Sequence, residues 1–282
     1  MFICLASYPK SGNTLVRSML AAYFFSKDGV YNFDLIKNIK QFPLNTLFLR
    51  MGINIQDEKE VIKNYIRVQE HVNKKDEIQF LKTHSYLFNI DNHAFTNLEN
   101  SLGAIYIVRD PRNVVTSFAN HSSISIEESL DFMTNGHKFG DIFHEKKSEQ
   151  TIVYSGTWSG HYNSWKSFKG DKYLLIKYED LIDNRDFALR KILKFLHKLT
   201  RTKFKIDQNK FKNTIETTNF DRLKNLEKEQ GFSEAKTNFQ TGKKVPFFNL
   251  GPKNDWRKLL DNKIRKKIEE AFKKEMVELG YL

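Results

Sequence analysis

Three short stretches of this 282-residue chain combine residue types that could do anion chemistry. The first, Tyr8-Pro9-Lys10-Ser11-Gly12-Asn13-Thr14, follows the apolar run Phe2 to Ala6 and precedes the helical spacing of Leu15, Met19, Leu20 and Tyr23. A loop placed between a strand and a helix can aim successive backbone N–H groups at an anion, with the helix dipole adding to them. Gly12 lets the backbone come close to a ligand, Lys10 brings a point charge, and the Ser11 and Thr14 hydroxyls add hydrogen bonds. The second stretch begins with Arg109, at the end of the apolar run Gly103 to Val108. Pro111 suits the first turn of a following helix, which then carries Ser117. A strand-end guanidinium and a hydroxyl on the next helix can converge on one phosphate. The third stretch, Lys82-Thr83-His84, ends the run that starts at Ile78 and falls between the other two.

The loop differs from that of the nucleotide triphosphatases. Their Gly-x-x-x-x-Gly-Lys-Ser/Thr puts the lysine after the last glycine and a hydroxyl on magnesium. Here Lys10 precedes Gly12 and no glycine opens the loop, so a nucleotide kinase, the alternative enzyme class, lacks its central motif.

The elements that must hold these residues follow from the hydrophobic pattern. Short apolar runs at 2–6, 78–81, 103–108 and 173–176 end in polar loops and alternate with helical patterns. That alternation predicts an α/β fold with a central parallel sheet and crossover helices. Tyr154, Trp158, His161, Tyr162 and Trp165 recur at spacings of three and four and read as core. Asp186 to Leu199 reads as an amphipathic helix capped by Asp183 or Asn184, Glu58 to Val72 as a helix face, and Asp261 to Leu279 as a charged closing helix. No repeat or linker divides the chain, which predicts one domain over 1–282. An insertion around 27–75 is expected to lie over the sheet on the acceptor side, and a mobile loop is expected around 225–250.

Composition narrows the class. Lysine and arginine number 46 against 34 acidic residues, a net charge of +12 that favours anionic partners. Acidic residues lie between the basic stretches Lys263 to Lys267 and Lys273-Lys274, which argues against a dedicated nucleic-acid surface. A module that binds RNA or an acidic partner is the non-catalytic alternative. The only cysteine, Cys4, permits no internal disulfide and no cysteine-based zinc site. The N-terminal apolar run is too short for a signal-peptide core or a membrane span, and the expected compartment is cytoplasmic.

Taken together, the three stretches resemble the motifs of sulfotransferases that use 3′-phosphoadenosine 5′-phosphosulfate (PAPS). Tyr8 to Thr14 is similar to the family's 5′-phosphosulfate loop, Tyr106 to Ser117 to its 3′-phosphate segment, and Lys82-Thr83-His84 to its catalytic Lys-Thr-His. Gly156-Thr157-Trp158, Tyr178-Glu179-Asp180, Thr218-Asn219-Phe220 and the segment from Gly251 to Trp256 resemble later landmarks, so the likeness runs from Phe2 to Arg257. It is nearest to the cytosolic-type branch with a histidine base; the branch with a carboxylate base is the runner-up.

The resemblance implies a P-loop-like sheet of about five strands and transfer of a sulfuryl group to a hydroxyl or amine, leaving 3′-phosphoadenosine 5′-phosphate (PAP). His84 would be the general base, Lys10 would stabilise the leaving oxygen, and Lys82 would hold sulfonate or 5′-phosphate oxygens. Arg109 and Ser117 would anchor the 3′-phosphate, with Ser11, Gly12, Asn13, Thr14, Tyr178 and Thr218 as further nucleotide contacts. No metal is required, and the acceptor is a small molecule or sugar lined by 27–75 and 136–150. Four positions depart from the pattern. Leu15 replaces an adenine-stacking Trp, and Asn219 replaces a Ser. Asn249-Leu250-Gly251 stands for Arg-Lys-Gly, leaving Lys243, Lys244 and Lys253 as candidate substitutes. The family's dimer motif is not recognisable around Lys258 to Lys267.

Overall fold

A computed structural model of the chain describes residues 1–73, 77–136, 138–139, 153–168, 170–238 and 241–282. Its strands are β1 (Phe2–Ser7), β2 (Lys40–Gln41), β3 (Gln79–Thr83), β4 (Asn89–Ile90), β5 (His93–Ala94), β6 (Ser101–Val108), β7 (Lys138–Phe139), β8 (Val153–Tyr154) and β9 (Tyr173–Lys177). Five of them form one parallel sheet in the order β2-β3-β1-β6-β9, the expected architecture. β4 pairs with β5, and β7 with β8, as separate antiparallel ribbons.

β1 is buried on both faces, as a central parallel strand must be. Phe2, Cys4 and Ala6 point into one apolar cluster, while Ile3 and Leu5 point into the other. The first cluster packs under α7 (Trp158–Lys166), whose Trp158, His161, Tyr162 and Trp165 are all buried. The second packs under α1 (Asn13–Phe25) and α9 (Arg185–Thr200). Asn184 caps α9 by accepting a hydrogen bond from the Phe187 N–H at 3.2 Å, in line with the sequence. Cys4 is a free thiol in the core, 3.6 Å from the Ser101 hydroxyl. Burial pushes it up to about 11.

Several boundaries differ from expectation. The helix expected over Glu58 to Val72 is two, α3 (Glu58–Lys63) and α4 (Tyr65–Val72), because Asn64 turns its amide onto the Glu60 carbonyl at the break. Residues 27–75 also give more than a cover: alongside α2 (Asn45–Arg50) they supply β2, the edge strand of the main sheet. The polar loop expected at Tyr178-Glu179-Asp180 is the start of a helix, α8 (Tyr178–Asp183).

The remaining helices all follow β6. α5 (Pro111–Ser122) starts at the expected proline, with the Asp110 carboxylate accepting from the Arg112 N–H at 2.9 Å. α6 (Ile126–Asn135) opens on a reciprocal cap between Ser125 and Glu128. α10 (Gln208–Thr217) and α11 (Phe220–Gln230) follow, so the stretch expected as loop over 225–250 begins inside a helix. After it the chain folds back on itself, with Val245 N donating to Lys236 O at 2.8 Å, and Glu227 accepting from the N–H groups of Phe247 and Phe248. The closing helix is divided as well: α12 (Trp256–Leu259) is followed by α13 (Asn262–Ala271) and α14 (Lys273–Glu278), which part at Phe272. Among the described residues no helix is long and apolar enough to cross a membrane.

Candidate active site

Parallel pairing brings the C-terminal ends of four strands level: Ala6 lies opposite Thr83 and Tyr106, and Val108 opposite Lys177. Ligand sites of such sheets form beyond these ends. The strand ends release Tyr8 to Gly12, His84, Arg109 and Tyr178, and above them lies a cavity of about 740 Å³. Lys10, Gly12, Asn13, Thr14, Lys82, His84, Arg109, Ser117 and Tyr178, all nominated from sequence, line it. Ser11 and Thr218 do not. The Ser11 hydroxyl is fully buried behind the wall without a hydrogen-bond partner. Thr218 is spent on structure, donating to Thr214 O at 2.6 Å and accepting from Arg185 at 2.9 Å.

Position 12 has to be glycine, for a reason the sequence did not show. Its φ is 101°, and a Cβ there would lie 2.5 Å from the Tyr178 ring. The missing side chain thus makes room for Tyr178 as well as for a ligand. No side chain caps α1 at Gly12, so its first N–H groups face the cavity end of the helix. Asn13 buttresses the loop, its amide donating to Leu5 O at 2.9 Å and to the Ser7 hydroxyl at 3.2 Å.

The cations converge. The Arg109 guanidinium lies 4.1 Å over the Tyr178 ring and donates to the carbonyls of Lys10 (3.2 Å) and Gly251 (3.3 Å). Its Nε, buried, has no partner. Lys10 Nζ sits 4.0 Å from the Phe247 ring. Burial, then the like charges of Arg109, Lys82 and Lys236, push Lys10 down to about 7. Lys82 donates to Gln41 at 2.9 Å, and burial brings it down to about 8. A buried guanidinium with an unpartnered Nε, and two buried lysines each lowered by burial and by neighbouring cations, suit a multiply charged anion.

His84 stands at the end of β3 with its ring fixed. Its Nδ1 lies 2.8 Å from the Ser7 carbonyl oxygen, which can only accept, so Nδ1 carries the proton and Nε2 the lone pair. Burial first, then Lys82, hold the imidazole well below its ordinary pKa and therefore neutral. Its backbone is fixed from α7. His161 donates from Nε2 to His84 O at 3.1 Å and accepts from the Tyr106 hydroxyl at Nδ1 (2.9 Å), and Trp165 Nε1 donates to Ser85 O at 2.9 Å.

Several lining residues escaped the sequence reading. Glu234 is the one acidic side chain among those described along the cavity. It accepts from Arg17 at 2.5 Å and from the Thr14 hydroxyl at 3.3 Å. Its only signal is an acid in a polar stretch. Lys236 lines the cavity, whereas Lys243, Lys244 and Lys253, proposed to replace the lost Arg-Lys pair, do not. Leu15, Phe220, Leu223 and Phe248 form an apolar stretch of wall. Asn219 caps α11, accepting from Arg222 N at 2.9 Å, a task a serine also performs. Gln41 and Leu44, from the segment expected on the acceptor side, line the cavity, as does Val153. The other expected acceptor segment, 136–150, lies outside the described residues apart from Gly136 and the backbone of 138–139. Among the described residues no group of three or more His, Cys, Asp and Glu is arranged to hold a metal ion.

Known proteins resemble the chain at low identity. Human sulfotransferase 1E1 (Homo sapiens) is 23% identical over 279 residues, covering 98% of this chain and 84% of its own. Firefly luciferin sulfotransferase (Photinus pyralis) is 24% identical over 229 residues, covering 79% of this chain and 56% of its own. The solved structure of retinol dehydratase in complex with retinol and PAP superposes with a TM-score of 0.61 at 16% identity, covering 98% of this chain and 81% of that one. Mouse sulfotransferase SULT7A1 complexed with PAP gives 0.56 at 16% identity, covering 97% and 84%. The model of the sulfotransferase domain family matches residues 2–280, and with nearly every residue inside it the chain belongs to that family.

Proposed function

We propose that this sulfotransferase takes the sulfuryl group from PAPS and passes it to a hydroxyl or amine of a small acceptor, with His84 as general base. The observation that carries the reading is the meeting of Lys10, Lys82, His84, Arg109, Ser117 and Tyr178 from four strand ends around one cavity. The donor brings an activated sulfuryl group on a leaving phosphate. The chain supplies position and charge.

Arg109 and Ser117 take the 3′-phosphate, and the uncapped start of α1 with Thr14 takes the 5′-phosphate, while Asn13 keeps the loop in shape. Lys10 meets the charge that grows on the leaving oxygen, and Lys82 faces the sulfonate. Leu15, Phe220, Leu223 and Phe248 receive the adenine in place of a tryptophan. Thr218 contributes through Arg185 and the end of α10, without touching the nucleotide. Nε2 of His84, lone pair outward, accepts the acceptor's proton. Glu234 is a poor base by comparison: burial opposes its charge, but Lys82 and Arg17 hold it ionised far below the usual carboxylate range. The reading takes 1–282 as one domain in which 27–75 present Gln41 and Leu44 to the acceptor.

A calorimetric titration with PAP tests the donor half, and a screen of phenols, alcohols, amines and sugars with labelled PAPS then tests the acceptor half. Binding in the micromolar range is expected. No heat of binding at millimolar PAP would overturn the reading.

A further inference from the structure

Glu234 joins three elements that meet at the transfer point. Its Oε1 accepts from Arg17 of α1 at 2.5 Å and lies 3.8 Å from Lys82 Nζ of β3, and its Oε2 accepts from the Thr14 hydroxyl at 3.3 Å. Arg17 and Lys82 are nearly inaccessible, at 4% and 6% exposure. The segment that bears Glu234 also carries Lys236, Phe247 and Phe248 to the cavity wall, with Phe247 and Phe248 held by Glu227.

We propose that Glu234 is a positioning residue for sulfuryl transfer: it fastens the wall that carries Lys236, Phe247 and Phe248 to α1 across the donor cavity and holds the Lys82 ammonium in place for the transferring group. This rests on the PAPS reading above. Lys82 has one neutral partner, Gln41. The charged and titratable groups around it are Arg17 and Lys10 from α1 and its loop, His84 beyond its own strand, His121 from α5 and Glu234 from the segment. Glu234 is the sole anion among them. Without it, a buried ammonium faces only like charge and neutral rings, which favours its deprotonated form. Burial already draws Lys82 down to about 8 and Glu234 opposes that fall.

The substitution Glu234→Gln keeps the shape and removes the charge. Two measurements need no acceptor: calorimetric titration with PAP at pH 7, and the pH dependence of Lys82 acylation by acetic anhydride, read by peptide mass spectrometry. With the segment no longer tied to Arg17 and Thr14, its wall residues Lys236, Phe247 and Phe248 are released and the variant is expected to bind PAP about tenfold more weakly; with its counter-charge gone, the midpoint of Lys82 acylation should fall by about one pH unit. Glu234→Asp should recover part of both. A merely structural role would lower the melting temperature and leave the Lys82 midpoint where it is, which overturns the proposal. So would PAP binding that is unchanged or tighter in the variant. Should the wild-type protein bind no PAP, the donor reading falls, and the acylation midpoints still decide whether Glu234 governs Lys82.

Discussion

At the scale of single residues, the site depends on which atom of each side chain is already committed. His84 donates its Nδ1–H to Ser7 O, which leaves Nε2 as the only basic nitrogen of that ring. Replacing His84 by Ala should cut turnover by about 100-fold or more, with PAP binding unchanged by calorimetry; full turnover in that variant would remove His84 as the base. Lys10 gives a pH prediction with a definite sign. Its ammonium is pushed down to about 7, so above that pH it is mostly neutral, while a phosphate beside it favours the charged form and raises its pKa. PAP binding at pH 8 should therefore take up close to one proton, falling towards none at pH 6. Titrations in two buffers of different ionisation enthalpy measure this, and equal heats at pH 8 would contradict it.

At the scale of elements, α7 acts on the site without lining it. His161 and Trp165, four residues apart on one helix face, donate to consecutive carbonyls of the chain leaving β3. His161→Phe leaves His84 O and the buried Tyr106 hydroxyl without that partner, at a cost of about 1–3 kcal/mol in stability. Turnover should fall further than PAP affinity, because the substitution disturbs the proposed base, His84, and spares the Tyr8 to Thr14 loop; an equal loss in both would place His161 outside the transfer step. The elements that bear the motifs were legible in the sequence, since β1 and β6 are short apolar runs stopped by polar loops and Pro111 marks where α5 begins. The breaks at Asn64 and Phe272 were not. An amphipathic pattern runs through both; at Asn64 an amide folds onto its own turn, and at Phe272 the ring packs 5.2 Å from Trp158, a tertiary contact that periodicity does not report. Glu234 was equally hidden, because a carboxylate in a lysine- and glutamine-rich stretch reads as solvated surface until Arg17 and Lys82 are seen beside it.

At the scale of the whole molecule, the net charge of +12 surrounds a cavity already rich in cations. Such a field raises the encounter rate of a polyanion and is screened by salt. The association rate of PAP, followed by stopped-flow quenching of protein fluorescence, should fall by about tenfold between 0.05 and 0.5 M salt; a salt-independent rate would show that steering plays no part. The core has a different consequence. The protein's only thiol, Cys4, is sealed inside the sheet and pushed up to about 11, so at neutral pH the folded chain behaves towards alkylating dyes as though it had no cysteine. A single cysteine introduced at the exposed Ser233, beside Glu234 on the cavity rim, would take a fluorophore at one place without background. Nucleotide binding could then be timed directly at that rim, without an acceptor.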